Sequence, residues 1–144
     1  MTQTSERQRW MAVLARASRS EIEAVLGADL PAHDLLKAPE TGTVMVEGRA
    51  GGAGRRFNLG EATVTRCVVR LADGAMGFAY ALGRDGRKAR LAAILDARLQ
   101  QEAETGPLRQ HVSALAARQA AARDLASRKA AATKVDFFTL VRGA

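Results

Sequence analysis

The segment from residue 63 to residue 82 constrains the fold of this chain more than any other. Thr63, Thr65, Cys67, Val69 and Leu71 alternate with Val64, Arg66, Val68 and Arg70. That period of two suits a strand with one half-buried face. The stretch is rich in β-branched residues, which pack well on a pleated surface. Asp73-Gly74 then supplies a tight turn, and residues 76–82 a returning strand. A local hairpin of this kind imposes antiparallel pairing.

Two further strands are expected upstream. Val44 and Val46 alternate with Met45 and Glu47, and a short strand around residues 34–37 joins the sheet. Outside this region the period is helical. Ser5 and Gln8 form a capping-box pattern ahead of Trp10, Val13, Leu14 and Ala17. Ser18 or Ser20 caps a second helix, whose early Glu21 and Glu23 suit the helix dipole and which Gly27 closes. Asp85 is placed to cap a helix over residues 86–102, with Leu91, Ile94, Leu95 and Leu99 on one face. Asp96 and Gln100 are assigned largely to other faces. Gly106-Pro107 breaks the chain before an alanine-rich helix over 108–133, which has high propensity but few bulky anchors and so reads as a surface or partner-facing element.

The expected class is α+β in a single domain, 1–144. An N-terminal helical pair spans 1–28, an antiparallel sheet of about four strands spans 33–83, and helices span 85–133. An apolar, extended, partner-docking tail spans 134–144. Within it Phe137, Phe138, Leu140 and Val141 are the residues expected to meet a partner, since a free apolar tail usually docks on something.

Composition narrows the function classes. With 47% hydrophobic and 26% charged residues the chain is globular. Thirty alanines and six aromatics imply a core of small contacts, hence modest stability alone and a partner that covers the rest. Cys67 is the single cysteine, which excludes an internal disulfide. His33 and His111 are isolated, so no metal site is expected. The charge-free stretch 75–83 is too short to cross a membrane, and Arg16 and Arg19 interrupt any signal-peptide core. A cytoplasmic protein is expected.

Net charge is +7, with 18 arginines against 4 lysines. The conspicuous loop is Gly48-Arg-Ala-Gly51-Gly52-Ala-Gly54-Arg55-Arg56, whose glycines and arginines suit an anion. It matches no phosphate-loop pattern and joins two strands, so a flexible hairpin connection with solvated arginines is the simpler reading. Arg66 and Arg70 share one strand face and either bind an anion, pair with another chain or snorkel. Arg84 precedes a helix N-terminus, where charge and free N–H groups favour an anion. Cys67 reads as a buried structural thiol. No acid/base or nucleophilic constellation is visible. Nucleic-acid binding agrees with the charge, but the arginines are scattered, aromatics are few and no reading motif is present.

Several motifs in order carry a resemblance: Arg7-Gln-Arg-Trp-Met-Ala-Val-Leu-Ala15, Glu40-Thr-Gly42, Gly51-Gly-Ala-Gly54, Gly60-Glu-Ala-Thr-Val-Thr-Arg66, Gly83-Arg-Asp85 and Val135-Asp-Phe-Phe-Thr-Leu-Val-Arg-Gly143. Together they resemble the PhnG family, the G subunit of the bacterial carbon–phosphorus lyase system. The resemblance implies a transferase subunit that is inactive alone and works with the H, I and J subunits and an ATPase-like subunit. It implies support for attack of methylphosphonate on the ribose C1 of ATP, releasing adenine and forming α-D-ribose 1-methylphosphonate 5-triphosphate. The later radical step belongs to another subunit, and no cofactor is expected on this chain. Arg55, Arg66 and Arg84 are then the candidates for contact with substrate phosphate, and a scaffold without substrate contact is the alternative. Family members often carry histidine just after the Gly-Arg-Asp turn. Lys88 stands there in this chain, and it cannot replace a histidine as an acid or base near neutral pH.

Overall fold

The computed structural model describes the backbone of residues 3–49 and 54–143, and the side chains of 5–49 and 54–132. Among these residues the order is α1 (Gln3–Arg16), α2 (Arg19–Leu26), β1 (His33–Arg49), β2 (Arg56–Leu71), β3 (Met76–Leu82), α3 (Gly86–Gln101) and α4 (Pro107–Gly143). The class is α+β, with one antiparallel sheet in the order β1-β2-β3.

The β2–β3 hairpin turns at Asp73-Gly74 as its sequence requires. Gly74 takes φ +94°, and Asp73 Oδ1 accepts the Ala75 N–H at 3.0 Å. Thr65, Cys67, Val69 and Leu71 line the buried face, while Arg66 and Arg70 point away from it. The sheet has three strands where about four were expected, because residues 34–37 and 44–46 belong to one strand. Both pair with β2, and register shifts between Leu35 and Lys37 and between Lys37 and Glu40 absorb the residues around Pro39.

One sheet face packs on α3, and it does so through small residues. Gly77, Ala79 and Ala81 of β3 are buried against a helix whose Ala89, Ala92, Ala93 and Ala97 are also buried. A Cβ on Gly77 would run into the Ala93 carbonyl oxygen. The strand and helix backbones thus lie closer than a side chain permits. With α1 and α2 on its other flanks, α3 is buried almost all round, which explains why a single apolar face failed to describe it.

Helix boundaries follow local chemistry. Ser18 and Glu21 make the reciprocal capping box of α2, and Gly27 ends that helix. Asp85 caps α3. Ser5 is not a cap, since α1 already begins at Gln3. Residues 134–143 continue α4 and are helical where an extended tail was expected. No Gly or Pro stands between Leu108 and Arg142 to stop the helix, so the alanine-rich segment propagates through the apolar Val135-Asp-Phe-Phe138 stretch.

Gly77→Ala is expected to destabilise the chain by about 2–3 kcal/mol through overpacking against α3. Gly42→Ala, with open space around its Cβ position, should stay within about 0.5 kcal/mol of the parent. Urea denaturation of the two variants measures the difference.

Candidate functional site

The arginine candidates fall on separate parts of the molecule. Arg66 lies midway along β2, opposite Glu40 of β1 and Tyr80 of β3, on the sheet face turned away from α3. Arg70 shares that face, opposite Asp34 and Met76. Both guanidinium groups are exposed. Glu40 is drawn instead to Lys37 Nζ at 3.3 Å, so neither arginine has a carboxylate in ion-pair reach among the described residues.

Arg84 is exposed in the turn between β3 and α3. Its neighbour Asp85 already fills the helix start with negative charge. Asp85 Oδ1 accepts the Lys88 N–H at 3.1 Å, and Oδ2 is ion-paired with Arg19 Nε at 3.2 Å. Arg55 flanks the tip of the β1–β2 hairpin, where its neighbour Arg56 faces Glu47 at 3.8 Å. Eleven residues, roughly 35 Å of extended strand, separate Arg55 from Arg66. The fold therefore does not gather the three candidates into one cluster. Phe137, Phe138, Leu140 and Val141 have their backbone in α4, and their side chains lie outside the described residues.

The polar groups with the most partners were missed in sequence. Asp96 is fully buried, yet its carboxylate accepts from Arg7 Nη2 at 2.9 Å, Trp10 Nε1 at 2.8 Å, the Phe78 N–H at 2.9 Å and Gln100 Nε2 at 3.2 Å. The Asp96 hydrogen bond also holds Arg7 more firmly in its charged form. A lone acid among leucines and alanines, with no cation three or four residues away, was the available signal. Nearby, Arg109 stacks over Trp10 at 4.9 Å, donates to the Leu99 carbonyl at 3.1 Å and faces Glu6 at 3.3 Å. These groups border an open cleft of about 380 Å³ where α1 meets α4.

Lys88 is also occupied with the fold. Its Nζ donates to the Ala15 and Leu82 carbonyls, each at 3.1 Å, tying the end of α1 to the end of β3. Burial pushes its ammonium below the ordinary value of 10.5, against the opposing pull of Asp85 and Glu21. The Cys67 thiol is buried and its pKa is raised by that burial, so it stays protonated as a small core side chain. His33 Nε2 accepts from Arg90 Nε at 2.9 Å, and its Nδ1 lies 2.9 Å from the Pro31 carbonyl. Among the described residues no group of three or more His, Cys, Asp or Glu side chains is arranged to hold a metal. No helix among them is long and apolar enough to cross a membrane.

Two comparisons bear on what this arrangement serves. The family model described as "Phosphonate metabolism protein PhnG" matches residues 5–143. The chain is 45% identical, over 96% of its length and 90% of the relative's, to a protein of Rhizobium meliloti (strain 1021). That relative is named alpha-D-ribose 1-methylphosphonate 5-triphosphate synthase subunit PhnG.

Asp96→Asn removes the charge that Arg7 faces and should cost about 3 kcal/mol in urea denaturation, as breaking a buried ion pair does. Lys88 sets a pH dependence. Because its folded pKa is lowered, the unfolded chain holds that proton to higher pH than the folded one. Stability therefore rises with pH between the lowered value and 10.5, and falls back as pH drops through the lowered value. Lys88→Met should abolish that alkaline rise, read from denaturation midpoints in a pH series.

Proposed function

Since the chain belongs to the PhnG family of phosphonate metabolism proteins, we propose that it is a subunit of the complex that makes α-D-ribose 1-methylphosphonate 5-triphosphate from ATP and methylphosphonate. The observation that carries this reading is the 45% identity, over nearly the whole of both chains, to a relative named as a subunit of that synthase. In the reaction a phosphonate oxygen bonds to the ribose C1. The bond from C1 to adenine breaks, and adenine leaves with a proton on its ring nitrogen. This is transfer of a ribosyl triphosphate group, so the complex acts as a transferase. Its consumption of ATP fits a cytoplasmic setting.

The partners in this reading are the H, I and J subunits and an ATPase-like subunit, and this chain binds no cofactor of its own. Its contribution to chemistry is electrostatic. Triphosphate and phosphonate are polyanions, and a guanidinium is a permanent cation whose donors match their oxygens. Arg66 and Arg84 are the arginines best placed for that contact on the body of the molecule, while Arg55 would reach substrate only from the hairpin tip. A second reading, a scaffold without substrate contact, is favoured by one observation. Two clefts on the described surface are lined by other residues, one by Trp10 and Arg109 and one by Met11 and Phe78.

Adenine release from ATP plus methylphosphonate, measured on the co-expressed complex, tests the function. Complexes carrying Arg66→Ala or Arg84→Ala separate the two roles once their assembled mass matches the parent. Substrate contact predicts a KM for ATP or phosphonate raised about tenfold or more, the loss of one charge-assisted hydrogen bond. A scaffold predicts parental kinetics.

A further inference from the structure

The hairpin of β1 and β2 is longer than the body it grows from. Beyond residues 42 and 64 its two strands pair with each other alone, from Thr43 opposite Thr63 out to Arg49 opposite Arg56. Neither face of this arm is covered by another described element, yet the two faces differ in chemistry. Strand alternation and register place Thr41, Thr43, Glu47, Asn58, Glu61 and Thr63 on one face, with Met45 as its large apolar exception. The opposite face carries Val44, Val46, Phe57 and Leu59, exposed by 43%, 39%, 47% and 63%. The register shift between Val46 and Glu47 puts Leu59 over Gly48, where a Cβ would meet the Leu59 side chain at 2.9 Å.

The apolar face does not end with the arm. It continues onto the outer face of the sheet as exposed Leu82, Tyr80 and Met76, with Arg66 and Arg70 among them. An arm solvated on both sides has no reason to segregate its large side chains, because both faces would meet water. Its one-sided pattern is that of a surface covered on one side. From the strand spacing, body and arm together present roughly 600 Å² of flat sheet. With side-chain relief this approaches the ~800 Å² per partner of a stable protein interface.

Charge decides which occupant fits. Asp34 and Glu40 lie on this face opposite Arg70 and Arg66, yet neither arginine has a carboxylate in ion-pair reach among the described residues, and the chain as a whole carries +7. A second copy would bring the same charge and the same arginines. We propose that the outer sheet face and the apolar side of the β1–β2 arm form one continuous docking surface for a different, acidic protein chain, whose apolar surface is edged by carboxylates that pair with Arg70. This rests on the reading of the chain as a complex subunit.

The test titrates purified full-length chain into the remaining synthase subunits, alongside the light-scattering mass of the assembly. A Val46→Thr, Phe57→Ser, Leu59→Ser triple variant should keep the parental melting temperature, since the arm lies outside the core, and lose about 100-fold or more in affinity. Arg70→Glu, which leaves the arm intact, should lose about tenfold and show a weaker salt dependence. Parental affinity in both variants overturns the surface assignment while leaving the subunit reading intact. So does a free parental chain whose dimer the triple variant disperses, or a duplex DNA that binds the parent and not Arg70→Glu. A parental chain that joins none of these subunits overturns the subunit reading and this proposal together.

Discussion

A carboxylate with no access to water must find its hydrogen bonds inside the protein, and Asp96 finds them on three elements at once. The Phe78 N–H is the telling donor. It belongs to β3, the last strand of the sheet, whose outer edge would otherwise present unpaired backbone groups. Asp96 answers that edge from α3, while Arg7 and Trp10 bring α1 across it, and Arg7 lies over the Phe78 ring at 5.5 Å. One ion thereby fixes the order of packing: α3 under the sheet and α1 along the β3 edge. Among the described residues the edge of β1 and the sheet face turned away from α3 are left uncovered by this choice.

The smallness of the core side chains has a similar reach. Gly77 and Ala93 let strand and helix backbones nearly touch, so this layer is thin and locally specific, and a single methyl group disturbs it. A core built from alanines cannot extend far enough to support a long sheet. Residues 43–49 and 56–63 therefore run beyond it as a two-stranded arm, a form of marginal stability in water by itself. Past Gln119, α4 likewise presents only exposed side chains up to residue 132. Arm and helix are elements whose apolar residues the body cannot bury.

Features set by near neighbours were legible in sequence. The Asp73-Gly74 turn, the Asp85 cap, the end of α2 at Gly27 and the alternation of β2 each depend on residues a few positions apart, and the structure holds all of them. Features set by distant contacts were not. Two short strand signals around Pro39 became one strand because both halves meet β2. The Val135-Asp-Phe-Phe138 segment follows the helix before it and not its own extended tendency. Asp96 looked like a surface charge on a helix, and its role and that of Lys88 rest on Arg7, Ala15 and Leu82, which only folding brings near. The arginine candidates show the same limit. Arg55 and Arg66 are close in sequence, yet a straight strand makes that interval a long distance in space, where a helix would have made it about 16 Å.

The assignment of charges then bears on what this chain does in company. Its most buried ionisable groups are spent on backbone and helix ends: Asp96 on a strand edge, Lys88 on two carbonyls, Arg109 on the end of α3. Arg66, Arg70 and Arg84 receive no such employment and stay at the surface. A guanidinium in water gains little from a nearby carboxylate, but the same group in an interface or beside a polyanion is partly desolvated and its hydrogen bonds strengthen. Arginines set among exposed Tyr80, Leu82 and Met76 have apolar neighbours that would exclude water once covered. The surface is thus weakly interacting in the free chain and strongly interacting when occupied. That difference suits a subunit whose binding groups become effective on assembly.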